Sequence, residues 1–355
     1  MNSEKKILIN GDFLCRNLTG IERFATEVCI RLDKLIKPKE ISLYVPADFP
    51  HIPDFMNIEV IISKHRCNFF PLWEHVFFAH FARKQKALPL DFSNITPLFY
   101  PGIVFIHDIY ARLYPEDFKS VKDKLIKLYA CSMYRHAAKK AKRILTVSEF
   151  SKGQIAEIYK IPVDRISVVN NGWDHFKSIK PDDTIFKSFP VLYKNSYYFS
   201  LGSLSLRKNL KWIADYAQKH QNDFFAVSGK AISGLVPPEL KQLQKLKNVV
   251  MLGYVTDGQV KSLMNSCKAF IFPSYYEGFG IPPLEALSTG CPVIISNASC
   301  LPEIYGDCAH YINPYKTDVD LTAVLKETVS SPDKILEKYT YAHAAVKLQN
   351  ILSNI

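Results

Sequence analysis

Two successive runs of short apolar, β-branched segments, each alternating with longer stretches of helical periodicity, constrain this chain more than any other feature. In the first run, residues 7–10, 41–45, 58–62, 104–107 and 143–147 read as strands. Residues 19–35 read as a helix with Ile21, Phe24, Ala25, Val28 and Leu32 on one face. In the second run, residues 197–201, 224–228, 249–252, 269–273, 292–295 and 310–312 read as strands, with helical patterns between them. Such alternation predicts a parallel sheet covered on both faces. Its repetition in 355 residues predicts two doubly wound α/β domains in tandem. Asn170-Asn171-Gly172 is a turn signal, and the mixed polar stretch 173–195 reads as the linker. The expected domains are 1–180 and 190–335, with 336–355 a C-terminal helix that crosses back to the N-terminal domain. Sheets of this kind bind ligands at the carboxyl ends of their strands, so the cleft between the domains is the expected site.

Charge narrows the partners. Lysine and arginine number 45 against 34 acids, a net charge of +11, which favours anionic ligands or surfaces. Part of the excess is local: nine basic residues and one acid, Asp123, lie between Lys119 and Arg143. Val121, Leu125, Leu128, Tyr129 and Met133 recur there at near-helical spacing. A membrane-surface helix and a solvated basic face both fit that pattern. Nucleic acid is not expected, because basic and aromatic residues do not interleave and no recognition motif is present. No run approaches the roughly 18 apolar residues of a spanning helix. Residues 1–6 lead directly into a strand and leave no room for a signal peptide, so a cytoplasmic location is expected. The eight cysteines form no C-x-x-C pair, against a zinc site or disulfide framework. Cys29, Cys131 and Cys267 sit among apolar neighbours and read as small core residues.

The chemistry concentrates in residues 272–287. A buried strand ends near Pro273, Tyr276 to Gly280 forms a loop, and a helix begins near Pro282. Free amides at such a helix end suit an anion such as a diphosphate. Glu277 is placed on the loop and Glu285 in the first helical turn, both facing one small volume. Carboxylates accept hydrogen bonds, so sugar and ribose hydroxyls are fitting partners. The plain alternative makes Glu285 a complement to the helix dipole and Glu277 a solvated loop acid.

Glu277-Gly278-Phe279-Gly280-Ile281-Pro282-Pro283-Leu284-Glu285-Ala286-Leu287 closely resembles the signature of the family-four retaining glycosyltransferases, two glutamates separated by seven residues. Leu201-Gly202-Ser203-Leu204-Ser205-Leu206-Arg207-Lys208-Asn209-Leu210 is similar to that family's phosphate-binding strand–loop–helix. Residues 147–152 and 166–172 resemble the stretch before its interdomain linker. Val104-Phe105-Ile106-His107-Asp108 resembles the strand end that carries an active-site histidine, and Asn10-Gly11 with Thr19-Gly20-Ile21-Glu22-Arg23 the first glycine-containing loop. Together these motifs span residues 7–314. The resemblance implies two tandem Rossmann-like domains facing a central cleft, the GT-B arrangement, with acceptor bound by the first and nucleotide sugar by the second.

It also implies roles. Glu285 would hydrogen-bond the donor ribose and Glu277 the transferred sugar, while the amides around Phe279, Gly280 and Ile281 lie near sugar and diphosphate. Lys208, with Arg207, would neutralise the departing diphosphate beside Gly202. His107 would sit at the sugar from the N-terminal side, through its ring or its backbone carbonyl, and Gly20 would let the first loop approach the phosphates. Ser148, Glu149 and Ser151 read first as helix-capping residues, and Glu303 as a first-turn acid. Two departures stand out: Ser203 occupies a place where many members have arginine, and the first loop has one glycine where many have two.

The implied activity is a metal-independent hexosyltransferase without a cofactor. It would move a hexose from a nucleotide sugar, with a lean to GDP-mannose, onto a lipid-linked or glycan acceptor of O-antigen, capsule or other surface polysaccharide, at the inner face of the membrane. Preorganised cations aimed at the leaving phosphate supply the electrostatics, and no D-x-D triplet or His/Cys cluster suggests a metal. The alternatives are a GT-B epimerase or phosphorylase, or a non-catalytic nucleotide-sugar-binding subunit.

Overall fold

The computed structural model describes residues 6–47, 51–203, 205–229 and 240–355. Leu204 of the phosphate-loop motif and residues 1–5 lie outside the described residues. The chain forms two compact units. The first comprises residues up to Pro115, Leu125–Gly172 and Tyr339–Ile355; the second comprises Glu116–Lys124 and Trp173–Lys338. The boundary expected at residue 180 thus falls at 172/173, and the short segment 116–124 joins the second unit.

Among the described residues the first unit holds a seven-stranded sheet: β1 (Ile7–Asn10), β2 (Ile41–Val45), β3 (Glu59–Ile62), β4 (Leu88–Asp91), β5 (Ile103–Phe105), β6 (Arg143–Thr146) and β7 (Ile166–Val168). The order is β3-β2-β1-β4-β5-β6-β7, and all pairs are parallel. The second unit repeats the plan with β8 (Tyr197–Leu201), β9 (Phe224–Ser228), β10 (Val249–Gly253), β11 (Ala269–Phe272), β12 (Val293–Ser296) and β13 (His310–Ile312). Its order, β10-β9-β8-β11-β12-β13, is also parallel throughout. Each sheet reverses its winding once, between β1 and β4 and between β8 and β11. Crevices open at such switch points beyond the strands' carboxyl ends.

Burial explains the strand sequences. The strands β1, β2, β5 and β11 are buried at every position, as two-faced cover requires. The helix Gly20–Leu32 starts at a capping box, Thr19 with Glu22, and buries Phe24, Ala25, Val28, Cys29 and Leu32. The helix Tyr341–Ser353, capped by Thr340, buries Tyr341, Ala344, Ala345 and Leu348 in the same core. Close approach at the chain crossing demands Gly172, where a Cβ would lie 2.1 Å from the Tyr341 amide nitrogen.

Two expectations about cover elements change. Cys131 is half-buried on the helix Val121–Lys140 rather than in the core. The supposed linker is largely structured: a 3-10 turn over Asp174–Ser178 and a helix over Thr184–Ser188. No helix among the described residues is long and apolar enough to cross a membrane.

The switch point of the first sheet is filled by its own side chains. Asn10, at the end of β1, donates to Glu74 Oε2 at 2.6 Å and to Asp91 Oδ1, at the end of β4, at 3.1 Å. Trp73 Nε1 donates to Asn10 Oδ1 at 2.8 Å, and Asp12 pairs with Arg16 nearby. Burial, reinforced by the Asp91 charge, holds Glu74 well above the ordinary carboxylate range, and burial raises Asp91 as well. A proton retained by the pair relieves the repulsion between two buried carboxylates.

This arrangement has a pH signature. Folded-state values above the unfolded ones mean stability present at low pH and lost as pH rises through the folded values. As pH rises above the ordinary carboxylate range, the thermal midpoint should therefore fall more steeply in the wild type than in Glu74→Gln, whose amide carries no titrating proton. Equal slopes in thermal unfolding would mean that both acids are ionised in the native protein.

Candidate active site

The second sheet's switch point carries the motif residues. The chain leaves β8 at Gly202 and Ser203, and turns through a 3-10 element at Leu206–Lys208. It leaves β11 into the loop Pro273 to Gly280. Lys208 Nζ lies 2.7 Å from Glu277 Oε1, with the two side chains only 14% and 6% exposed. The pair thus bridges the ends of the strands that flank the winding reversal. Lys208 also lies 4.6 Å from the centroid of the Phe272 ring, and shares a small recess with Ser200, Gly202, Ser203, Ser228 and Phe272.

Four hydrogen bonds fix this geometry. Asn209, in a left-handed conformation with φ 58°, donates its amide to the carbonyls of Pro273 at 2.9 Å and Pro314 at 2.7 Å. Asparagine tolerates that conformation better than most residues. The Tyr275 amide donates to the Arg207 carbonyl at 3.1 Å. The Glu277 amide donates to Ser299 Oγ at 3.1 Å. Glu277 is therefore a buried, paired carboxylate, and not the solvated loop acid of the plain alternative.

Gly280 turns the loop into the helix Ile281–Leu287 with φ +84°, and a Cβ there would meet Leu301 Cδ2 at 2.8 Å. The Gly280 carbonyl accepts from the buried Tyr305 hydroxyl. Prolines 282 and 283 carry no N–H, so this helix end offers fewer free amides than the sequence reading assumed. Tyr276 and Phe279 are buried in the domain. Ile281 is half-buried.

Glu285 lies beyond the first turn, at the fifth residue of the helix, so its burial is not explained by the dipole alone. His175 Nε2 lies 3.1 Å from Glu285 Oε1, with side chains 4% and 10% exposed. Sequence reading missed His175 because it falls in the stretch taken as linker. The available signal was an Asp-His pair directly after the Asn-Asn-Gly-Trp turn.

In the first unit, His107 sits just past β5. Its ring Nε2 pairs with the Phe92 carbonyl at 2.9 Å, and its amide donates to Asn94 Oδ1 at 2.7 Å. Burial lowers its pKa to about 4, so the ring is neutral at physiological pH. Ser148 caps the helix Glu149–Tyr159, accepting from the Ser151 amide at 3.1 Å. The hydroxyl of Ser151 has a different partner from the expected cap: it donates to the His107 carbonyl at 3.2 Å. Gly20 is exposed at the start of its helix.

Comparison with known proteins agrees with the fold. Residues 182–343 match the family Glycosyl transferases group 1. The chain is 29% identical over 341 residues to O-antigen chain mannosyltransferase B of Escherichia coli, spanning 87% of each. It is 28% identical over 254 residues to O-antigen chain mannosyltransferase RfbU of Salmonella typhimurium, covering 71% of this chain and 67% of that one. Sucrose-phosphate synthase from Thermosynechococcus elongatus superposes with a TM-score of 0.72 at 11% identity, over 99% of this chain and 98% of that one. The doubly wound pair of parallel sheets and these comparisons lead to one conclusion: the chain has the GT-B fold, and its residues 182–343 carry a domain of the Glycosyl transferases group 1 kind.

Proposed function

We propose that this glycosyltransferase moves mannose from GDP-mannose to a lipid-linked or glycan acceptor in O-antigen synthesis, with retention of configuration and without a metal ion. The buried Lys208–Glu277 pair at the ends of β8 and β11 carries the reading. A nucleoside diphosphate is a better partner for the ammonium than one carboxylate, because it offers more negative charge and more acceptor oxygens. As donor enters, Lys208 turns toward the diphosphate and Glu277 becomes available to a hydroxyl of the transferred sugar. Cleavage of the sugar–phosphate bond leaves charge on the diphosphate, which Lys208 and Arg207 stabilise without reorganising. Glu277 serves as a binding group, not as one of two carboxylates astride the bond, and this favours attack from the face that the diphosphate leaves. Glu285 accepts from the ribose, and Gly280 keeps the loop open to the sugar. The mannose and O-antigen assignments follow the names of the relatives in Escherichia coli and Salmonella typhimurium. His107 and Gly20 are assigned to the transfer by the motif resemblance.

Contact with the inner membrane surface belongs to the same proposal. On the helix Val121–Lys140, Leu125, Ile126 and Leu128 are exposed among Lys122, Lys124 and Lys127. Leu72 and Val76 are exposed on the neighbouring helical segment, which is tied to this helix by His75 and Tyr129 at 3.0 Å. Apolar tips set among lysines suit an anionic lipid surface.

Three measurements test this reading. Turnover across a panel of GDP-, UDP-, dTDP- and ADP-sugars with EDTA present should single out GDP-mannose, give a product of unchanged anomeric configuration by NMR, and be abolished by Glu285→Ala. Loss of turnover in EDTA, or an inverted product, would overturn the mechanism. Lys208→Ala should lower kcat/KM about 10²–10³-fold and destabilise the fold by about 3–5 kcal/mol through the unpaired Glu277. The apolar double variant Lys208→Met/Glu277→Leu should recover most of that stability yet remain inactive, which separates charge in catalysis from charge in folding. Flotation with phosphatidylglycerol vesicles should carry the protein upward, and Leu125→Ser/Leu128→Ser should abolish this without changing turnover of a soluble acceptor. Equal flotation of both proteins would place the lipid contact elsewhere.

A further inference from the structure

Within this donor site, the structure assigns His175 as the positioning residue for the ribose-binding carboxylate of Glu285, an inference that rests on the reading of Glu285 given above. A ribose presents two adjacent hydroxyl donors, and one carboxylate receives both only when the plane of its two oxygens is held fixed. Glutamate has three side-chain torsions, and a free one sacrifices conformational entropy on binding. His175 removes that freedom beforehand: its Nε2 lies 3.1 Å from Glu285 Oε1 and both side chains are almost fully buried. The contact is made to Oε1 of the carboxylate.

The support beneath His175 is itself rigid. Its 3-10 turn, Asp174–Ser178, packs the buried Phe176 inward, and Ser178 Oγ donates to the His175 carbonyl at 3.1 Å. Lys261, on the helix Asp257–Ser266, donates to the carbonyls of Phe176 at 2.9 Å and Ile179 at 2.8 Å. Lys261 also lies 5.3 Å from the Phe176 ring centroid. A turn clamped from outside, holding a buried imidazole against a buried carboxylate one turn into the motif helix, has the form of second-layer support that orients a binding group.

The test is equilibrium binding of GDP and UDP, each compared with its 2′,3′-dideoxy form, to the wild type and to His175→Ala, His175→Gln, Glu285→Ala and the double His175→Ala/Glu285→Ala. Wild type should prefer the ribonucleotide. His175→Ala should lose about tenfold in ribonucleotide affinity, the scale of one close polar contact to a charged group, and bind the dideoxy form unchanged. His175→Gln should recover part of the loss, because its amide also donates. In the Glu285→Ala background the histidine change should have no further effect. If Glu285→Ala loses the ribonucleotide preference and His175→Ala keeps it, the positioning role is wrong while the donor site stands. If Glu285→Ala weakens both nucleotide forms equally, or the wild type binds neither nucleotide, the ribose reading itself falls and the present one with it. A His175→Ala protein that fails to fold leaves the decision to His175→Gln, for which equal loss of ribo and dideoxy binding would overturn the role.

Discussion

Lys208 and Glu277 place two opposite charges where water scarcely reaches, and the second unit's site is arranged around making that tolerable. Desolvating an ion pair is unfavourable unless the geometry is good and the remaining polar groups are satisfied. The fold meets the condition by tethering both loops independently: Asn209 to two carbonyls, Tyr275 to Arg207, and the Glu277 amide to Ser299. The ammonium is therefore held in one small region by the fold itself. A flexible surface lysine would have to lose most of its rotamer freedom at the moment of binding.

The two units share a winding pattern and use its reversal differently. In the second, the ends of β8 and β11 hold the Lys208–Glu277 ion pair. In the first, the ends of β1 and β4 are closed by Asn10, Asp91, Glu74 and Trp73, with the hydrogen-bonding capacity of Asn10 spent on its neighbours. The same topology thus gives one switch point with an opposite-charge pair and another with buried acids. The residue type that ends each strand decides between them, not the sheet order.

Much of this was legible in the sequence because buried parallel strands are dense in β-branched and aromatic residues. The second sheet was read strand for strand within one or two residues. In the first, β4 was missed because Leu88-Pro89-Leu90-Asp91 contains a proline and an acid, and β7 because its three residues fell in a stretch read for its turn signal, Asn170-Asn171-Gly172. The helical segment from Phe70 to Lys84 was hidden by aromatic residues on all sides and by its π-helical middle. Glycines and glutamates announced the site, since their spacing is set by the local turn. His175 was not announced: its meaning depends on Glu285, 110 positions away, and no local period encodes a contact of that range. The depth of Glu285 in its helix and the Ser151–His107 contact were illegible for the same reason.

The return of residues 339–355 to the first unit has a consequence for the order in which the protein is made. Tyr341, Ala344, Ala345 and Leu348 complete a core whose other walls, Phe24, Val28 and Leu32, leave the ribosome near the beginning of synthesis. At about 5–20 residues per second, residues 173–338 keep that core waiting for on the order of ten seconds or more. During that interval the face of the helix Gly20–Leu32 that later receives the last helix stays open to solvent or to a chaperone. The second unit, whose core is continuous in sequence from Trp173 onward, is free to fold first, because residues 339–355 of the first unit follow it.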